Sequence, residues 1–350
     1  MKIALLISGG VDSSVALALL KEQGYDITAY YLKIWLEEEL SFLGDCPWEE
    51  DIQYISKVCE QFSVPLEIIP LQREYHDRVV SYTIDELKQG RTPSPDLFCN
   101  QRIKFGAFYD KVGYKYPKIA TGHYARTEDH DDYTFLKTAP DPIKDQTYFL
   151  AHLNQQQIQR ALFPIGALTK TQVREFAQKY DLPNKDRKDS QGICFLGKIK
   201  FRDFTAYHLG DEPGDIKEWE TQKVLGRHRG YWFHTIGQRK GLGLSGGPWY
   251  VVKKDVQNNI IYVSRDKNAQ QESKSTFHVA NFNWITRPPI TTQQLKVKVR
   301  HGKEFYHCSL SIEEDNTGIV RLDGTDQGIA AGQFAVFYQD DICLGCASIQ

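Results

Sequence analysis

Short apolar runs alternate with amphipathic stretches through the first two-thirds of the chain. Lys2–Ser8 reads as a buried strand. Asp12–Gln23 carries apolar residues at helical spacing and ends at Gly24, a residue suited to a helix C-terminus. Ile27–Ile34 then reads as strand, Asp51–Phe62 as helix, Pro65–Leu71 as strand and Glu74–Gln89 as helix, stopped by Gly90. Lys118–Thr121 gives a further strand and Thr171–Tyr180 a further helix. Near-continuous apolar strands between helices predict an α/β domain with a parallel, doubly wound sheet. From about Gly210 the period shortens. Trp249–Lys253, Ile260–Ser264, Leu295–Arg300 and Gln333–Tyr338 alternate between turns of Gly, Asp and Asn, which predicts a small β-rich domain and then a C-terminal β-barrel. The expected division is 1–205, 206–270 and 271–350.

The composition fits this picture. With 350 residues, 41% hydrophobic and 25% charged, the chain has the balance of a globular protein of two or three domains. It has no apolar run near the ~18 residues of a membrane-spanning helix. The Ile3–Ile7 stretch is shorter than a secretory signal core, so a cytoplasmic location is expected. Seven scattered cysteines agree with a reducing compartment. Of these, Cys343 and Cys346 form a C-x-x-C pair without a second ligand pair nearby, which favours packing over zinc. Charge adds one feature. A total of −2 hides a net −8 over 1–159 and +8 over 160–254. That basic middle is either a polyanion-binding region or an ordinary solvated surface.

Three segments carry candidate chemistry. Ser8-Gly9-Gly10-Val11-Asp12-Ser13-Ser14 follows the first strand and opens the first helix, where backbone N–H groups and glycines can hold phosphate. It lacks the lysine of a kinase-type P-loop. Gly241-Leu-Gly243-Leu-Ser-Gly246 matches the dinucleotide pattern in letters, but it leads into a strand and not a helix. In Gly90–Asn100 two prolines stiffen a loop before a helix whose first turn is expected to carry Cys99, a setting that favours thiolate. Asp96 either caps that helix or serves as a general acid/base. Cys194 follows the run Lys185–Ser190, whose cations would also favour a thiolate. Trp219, Tyr231, Trp232 and Phe233, among Arg227, His228 and Arg229, suit either base stacking or a small β core.

The S-G-G-x-D-S segment resembles the pyrophosphate loop of PP-loop ATP pyrophosphatases. Nine blocks in order resemble the bacterial tRNA-specific 2-thiouridylases over almost the whole chain. They are S-G-G-V-D-S-S (8–14), G-R-T-P-x-P-D-x-x-C-N (90–100), I-K-F (103–105), A-T-G-H-Y (120–124), K-D-Q-x-Y-F-L (144–150), D-S-x-G-I-C-F (189–195), G-Q-R-K-G-L-G (237–243), P-W-Y-V-V (248–252) and G-Q-x-A-V-F-Y (332–338).

This resemblance implies a Rossmann-like PP-loop domain, a central β domain and a tRNA-gripping barrel. It implies ATP, with Mg²⁺, on Leu6, Ile7, Ser8, Gly9, Gly10, Val11, Asp12 and Ser13, with Leu32 and Gly122 also lining the nucleotide. Leu32 stands where relatives commonly have Met, and Ser94 where they often have Asn. Ser94, Pro95 and Asp96 are expected to face the target base. His123, Lys144, Asp145, Gln146, Arg300, His301 and Gln333 are expected to contact tRNA. Cys99 and Cys194 would form the catalytic pair, with a persulfide on Cys194 and a Cys99–Cys194 disulfide as the spent state. The expected reaction is adenylation of O2 of the wobble uridine, then its replacement by sulfur, on tRNAs for Lys, Glu and Gln. A cysteine desulfurase or sulfur-relay protein would be the donor. On the residues alone His123 could equally be a core histidine, and Arg300 and His301 ordinary β-surface residues. A small-molecule PP-loop ligase, or an RNA-binding protein with a vestigial loop, are the competing classes.

Overall fold

The computed structural model describes residues 1–34, 48–189, 199–266, 269, 275–289, 295–326 and 328–350. Its first sheet contains β1 (Lys2–Leu6), β2 (Asp26–Lys33), β3 (Leu66–Pro70), β4 (Lys118–Ala120) and β7 (Ala161–Leu162). All four neighbouring pairs are parallel, in the order β3-β2-β1-β4-β7. β1 is central and dry, with Ile3, Ala4 and Leu5 fully buried, so its sequence is apolar without alternation. The chain runs outward from β1 to β3 and then returns to place β4 on the other flank of β1. That reversal makes the carboxyl ends of β1 and β4 the switch point of the sheet, the crevice where open α/β sheets bind ligands.

Between β4 and β7 the chain makes a hairpin, β5 (Ala125–His130) and β6 (Tyr133–Thr138), which leaves the parallel sheet altogether. The second sheet holds β8 (Gly214–Glu218), β9 (Val224–His228), β10 (Tyr250–Asp255) and β11 (Ile260–Ser264), in the order β10-β11-β8-β9. Its core includes Tyr231, Trp232, Trp249, Val251 and Ile261, with Leu87 packed against them.

The last six strands are β12 (Thr276–Trp284), β13 (Lys296–Lys298), β14 (Tyr306–Ile312), β15 (Thr317–Leu322), β16 (Phe334–Gln339) and β17 (Ile342–Ile349). They follow the order β12-β15-β14-β13-β16-β17, and pairing of β12 with β17 closes the barrel. β6 joins the outer edge of β17, with Cys343 opposite Leu136. β16 and β17 therefore fill the barrel with one face and pack on the first domain with the other, and both are buried almost throughout. Cys343 and Cys346 lie in that inter-domain core, where burial pushes both thiols far up. Among the described residues no helix is long and apolar enough to cross a membrane.

Candidate functional site

The Ser8–Ser14 loop runs from β1 into the helix Val11–Glu22. Gly9 takes a φ of +74°, which turns the chain sharply. Ser13 Oγ accepts from the Ser8 amide at 3.2 Å and donates to the Gly10 carbonyl at 3.1 Å, so the loop is closed on itself. Gly10 is the N-cap and supplies no side-chain cap, which leaves the first-turn amides for a ligand. Leu6 and Ile7 are buried beneath the loop. Leu32, at the end of the neighbouring β2, is half-buried and adds an apolar flank.

The loop after β4 closes against this one. A Cβ on Gly122 would lie 2.7 Å from the Ser13 amide nitrogen, so only glycine permits the approach. Tyr124 donates through its hydroxyl to Asp12 Oδ1 at 2.9 Å. Lys170 Nζ reaches the same oxygen at 2.8 Å and Asp189 at 2.7 Å. Asp189 also accepts from Lys144 and Arg174, each at 2.6 Å. Burial works against the Asp189 carboxylate, but hydrogen bonds from Lys144 and Lys170 outweigh it and hold its pKa at about 2. Asn184 donates to the Gly9 carbonyl and to Ser14 Oγ, both at 2.9 Å, and Arg187 to the Gly9 carbonyl at 3.0 Å.

Histidine 123, between Gly122 and Tyr124, points the other way. Its Nδ1 meets Thr121 Oγ1 at 2.7 Å and its Nε2 lies 3.5 Å from Lys104 Nζ. Lys104 donates to Asn100 Oδ1 at 2.9 Å, one residue beyond Cys99. Burial first, then the Lys104 charge, drives the His123 pKa well below its ordinary value, so the ring is neutral. One four-residue loop, Thr121–Tyr124, thus touches the phosphate-type loop on one side and the Cys99 segment on the other.

The sequence-based start of the Cys99 helix needs correction. The helix begins at Pro95, so Asp96 occupies its first turn and Ser94, not Asp96, is the N-cap. Cys99 lies a turn further in, at the head of the π-helical stretch Cys99–Ala107, and is buried. The reason is local: proline is preorganised for the first helical position. Pro95 is buried, and the Ser94 amide donates to the Tyr82 hydroxyl at 3.2 Å. Cys194 lies outside the described residues, so its separation from Cys99 does too.

The remaining expected RNA contacts fall in four settings. Gln146 accepts from the Tyr124 amide at 3.0 Å, and Lys144 faces Asp189, so both belong to the phosphate-loop network. Asp145 is buried against equally buried Lys298 of β13 at 3.0 Å. His301 stacks on Phe149 at 4.6 Å between ring centres and meets the Asp145 carbonyl at 3.1 Å. Arg300 is exposed and pairs with Asp326 at 3.0 Å. Gln333 stands two residues after Ala331, whose carbonyl accepts from the Thr92 amide at 2.8 Å, so this barrel turn lies beside the Ser94–Asp96 loop. Its side-chain oxygen is buried without a partner among the described residues.

The sequence reading missed Tyr124, Lys170, Asn184 and Asp189 as members of the network. Tyr124 and Asp189 stand inside the quoted blocks A-T-G-H-Y and D-S-x-G-I-C-F. Lys170 and Asn184 show no pattern at all.

Family models match along the chain: a tRNA methyl transferase HUP domain over 1–198, a tRNA methyl transferase PRC-barrel domain over 202–265 and an aminomethyltransferase beta-barrel domain over 274–349. The tRNA-specific 2-thiouridylase MnmA of Parabacteroides distasonis is 49% identical over 357 residues, covering 100% of this chain and 99% of that protein. Its namesake in Porphyromonas gingivalis (strain ATCC 33277) is 47% identical over 361 residues, at 100% and 99% coverage. Among solved structures, a 4-thiouridine synthetase–RNA complex with bound ATP is 18% identical, with a TM-score of 0.35, over 57% of this chain and 45% of that one. Matches over the full length at nearly half identity leave one conclusion: the chain belongs to the tRNA-specific 2-thiouridylase family.

Proposed function

We propose that this chain is a tRNA-uridine 2-sulfurtransferase that activates O2 of a wobble uridine with ATP and replaces it with sulfur. One observation carries the reading beyond family membership. The anion-ready loop and the Cys99 segment meet the two sides of a single short loop, Thr121–Tyr124. An adenylating centre and a sulfur-handling centre need that proximity, because both act on one carbon of one base.

The roles follow from the surroundings. The uncapped turn at Gly10–Ser13 receives the phosphates of ATP, and Mg²⁺ held by those phosphates would find Asp12 as its nearest loop carboxylate. Asp12 is itself fixed by Lys170 and Tyr124, so it is positioned before substrate arrives. O2 of uracil attacks the α-phosphorus and pyrophosphate leaves, which turns a poor leaving oxygen into AMP. Sulfur bound to Cys194 as a persulfide then attacks C2, either directly or as hydrosulfide released by Cys99, and AMP departs with the former O2. Thiol Cys99 supplies the two electrons that cleave the persulfide, and the pair ends as a disulfide. Asp96, in the first turn before Cys99, would move the proton. The base must leave the anticodon stack to reach this point. Ser94, Gln333 and His301 would line its path, with Arg300 outside on the barrel. The division at 1–205, 206–270 and 271–350 would separate chemistry, a central module and RNA grip. The protein would act in the cytoplasm, supplied with sulfur by a desulfurase or relay protein.

Nucleoside mass spectrometry tests the reading. Incubation with ATP, Mg²⁺, sulfide and unmodified tRNA should yield 2-thiouridine, AMP and pyrophosphate in equal amounts. AMP formed without tRNA, and no thiolated nucleoside, would favour a small-molecule ligase instead.

A further inference from the structure

A cavity of about 360 Å³ lies between the Arg91–Pro95 loop and the central β domain. Its size is near the lower end of ligand pockets, roughly 300–1,000 Å³, and suits one nucleoside but not a helix. Pro93 and Pro95 form one side, on either side of Ser94. Phe201, Arg202, Phe233, His234, Gln238 and Lys240 contribute to the other. The G-Q-R-K-G-L-G block has no part in the chemistry above, yet three of its residues, Gln238, Lys240 and Gly241, line this cavity. Tyr231 and Trp232 are core residues of the small β domain, Trp232 also bordering the cavity, whereas Phe233 is only half-buried there.

The wall is built before anything binds. Gln238 accepts from the Thr235 amide at 3.0 Å and donates to the Lys240 carbonyl at 2.9 Å. The Gly237 amide donates to the Val251 carbonyl at 2.8 Å, tying the turn to β10. Lys254 donates to the His234 carbonyl at 3.1 Å. Two guanidinium groups flank the Phe233 ring, Arg202 at 5.7 Å and Arg229 at 5.8 Å from its centre. Arg202 and Lys240 are exposed and have no carboxylate partner among the described residues.

We propose that this cavity is a second nucleotide subsite, which holds the unpaired base adjacent to the target uridine against Phe233 while Arg202 and Lys240 take its phosphates. The proposal rests on the reading of the chain as a tRNA-thiolating enzyme and adds a specificity element to it. A half-buried aromatic ring in a cavity that also holds Arg202 and Lys240, two exposed cations without a carboxylate partner among the described residues, suits a base and its backbone. A wobble base pulled toward Ser94–Asp96 drags its neighbour within reach of the prolines on either side of Ser94. Holding that neighbour keeps the anticodon loop open during the two chemical steps.

A binding cycle tests this. Anticodon stem-loop RNAs, intact or abasic at the nucleotide on either side of the target, are titrated against wild type and Phe233→Ala. Loss of one neighbouring base should weaken wild-type binding roughly five- to a hundred-fold, and Phe233→Ala should weaken intact RNA similarly. The variant should no longer distinguish the abasic from the intact RNA, and Phe233→Tyr should restore the distinction. Additive losses, or no loss from either change, overturn the proposal. Normal RNA affinity with slowed transfer from a persulfide-donor protein, but not from free sulfide, would also overturn it, because the cavity would then serve the donor. Should Phe233→Ala fail to fold, Arg202→Ala and Lys240→Ala decide: each should lower the salt slope of RNA binding by about one, and unchanged slopes reject the subsite. Wild-type 2-thiouridine formation, measured alongside, keeps failure of the subsite distinct from failure of the proposed function.

Discussion

At Asp12 one carboxylate oxygen takes both the Tyr124 hydroxyl and the Lys170 ammonium, so the residue is fixed in the first turn of its helix. Asp12→Ala removes that anchor and leaves Lys170 with Asp189 alone. AMP formation should fall by at least a hundredfold, while tRNA affinity stays within about twofold. Pyrophosphate release and filter binding read the two effects separately. The histidines give a pH prediction. Burial depresses His123 well below its ordinary value, and His152 and His234 to about 4. The unfolded chain takes up these protons near pH 6.5, but the fold does not. Stability is therefore full above about pH 6.5 and falls as pH drops toward 4. Thermal unfolding at pH 7.5, 6 and 5 should show the decline, and His152→Gln or His234→Gln should flatten it. At this scale the sequence was uneven. Asp12 and Gly122 stand in dense motifs, whereas Lys170 acts through a fold that brings it next to a residue 158 positions away.

Strands buried on both faces announce themselves, which is why β1 and β2 match the apolar runs that predict them. The hairpin β5–β6 has no such signal, because Ala125–His130 is mostly polar and half-exposed. It is a strand through its pairing with β6, which is fixed to β17 some 200 positions later. Sequence distance also hides the ion pair of Asp145 with Lys298, 153 positions apart. Asp145 also accepts from the Ala139 amide and Thr147 hydroxyl, so the pair pins the Lys144–Gln146 segment to the barrel. Lys298→Met should cost about 3–5 kcal/mol by leaving a buried charge uncompensated. Adding Asp145→Asn should recover much of that loss, because the amide keeps an acceptor for Ala139. Denaturant midpoints of the single and double variants measure both, and equal losses in the two would show that the pair matters only for packing.

Across the whole molecule, the charge excess of 160–254 is less free than its sequence implies. Lys170 and Arg174 are spent on Asp189, Arg187 on Asp51 and Arg229 on Asp211. RNA affinity should still fall steeply with salt. The log–log slope should reflect several phosphates, from the central domain and the barrel together. A flat response would reduce the excess to an ordinary surface. The change from alternating strand and helix to short β segments near Gly210 was legible in the sequence. The packing of the barrel against the Cys99 segment was not, since it is made by β16 and β17 burying both faces.

The central claim is that ATP activates the oxygen that sulfur replaces. It is tested most directly by following that oxygen. Anticodon stem-loop RNA carrying ¹⁸O at O2 of the wobble uridine is thiolated with unlabelled ATP, and the AMP is weighed. The account predicts AMP two mass units heavier, one labelled molecule for each 2-thiouridine formed. Unlabelled AMP alongside 2-thiouridine, with the ¹⁸O released to water, would contradict it.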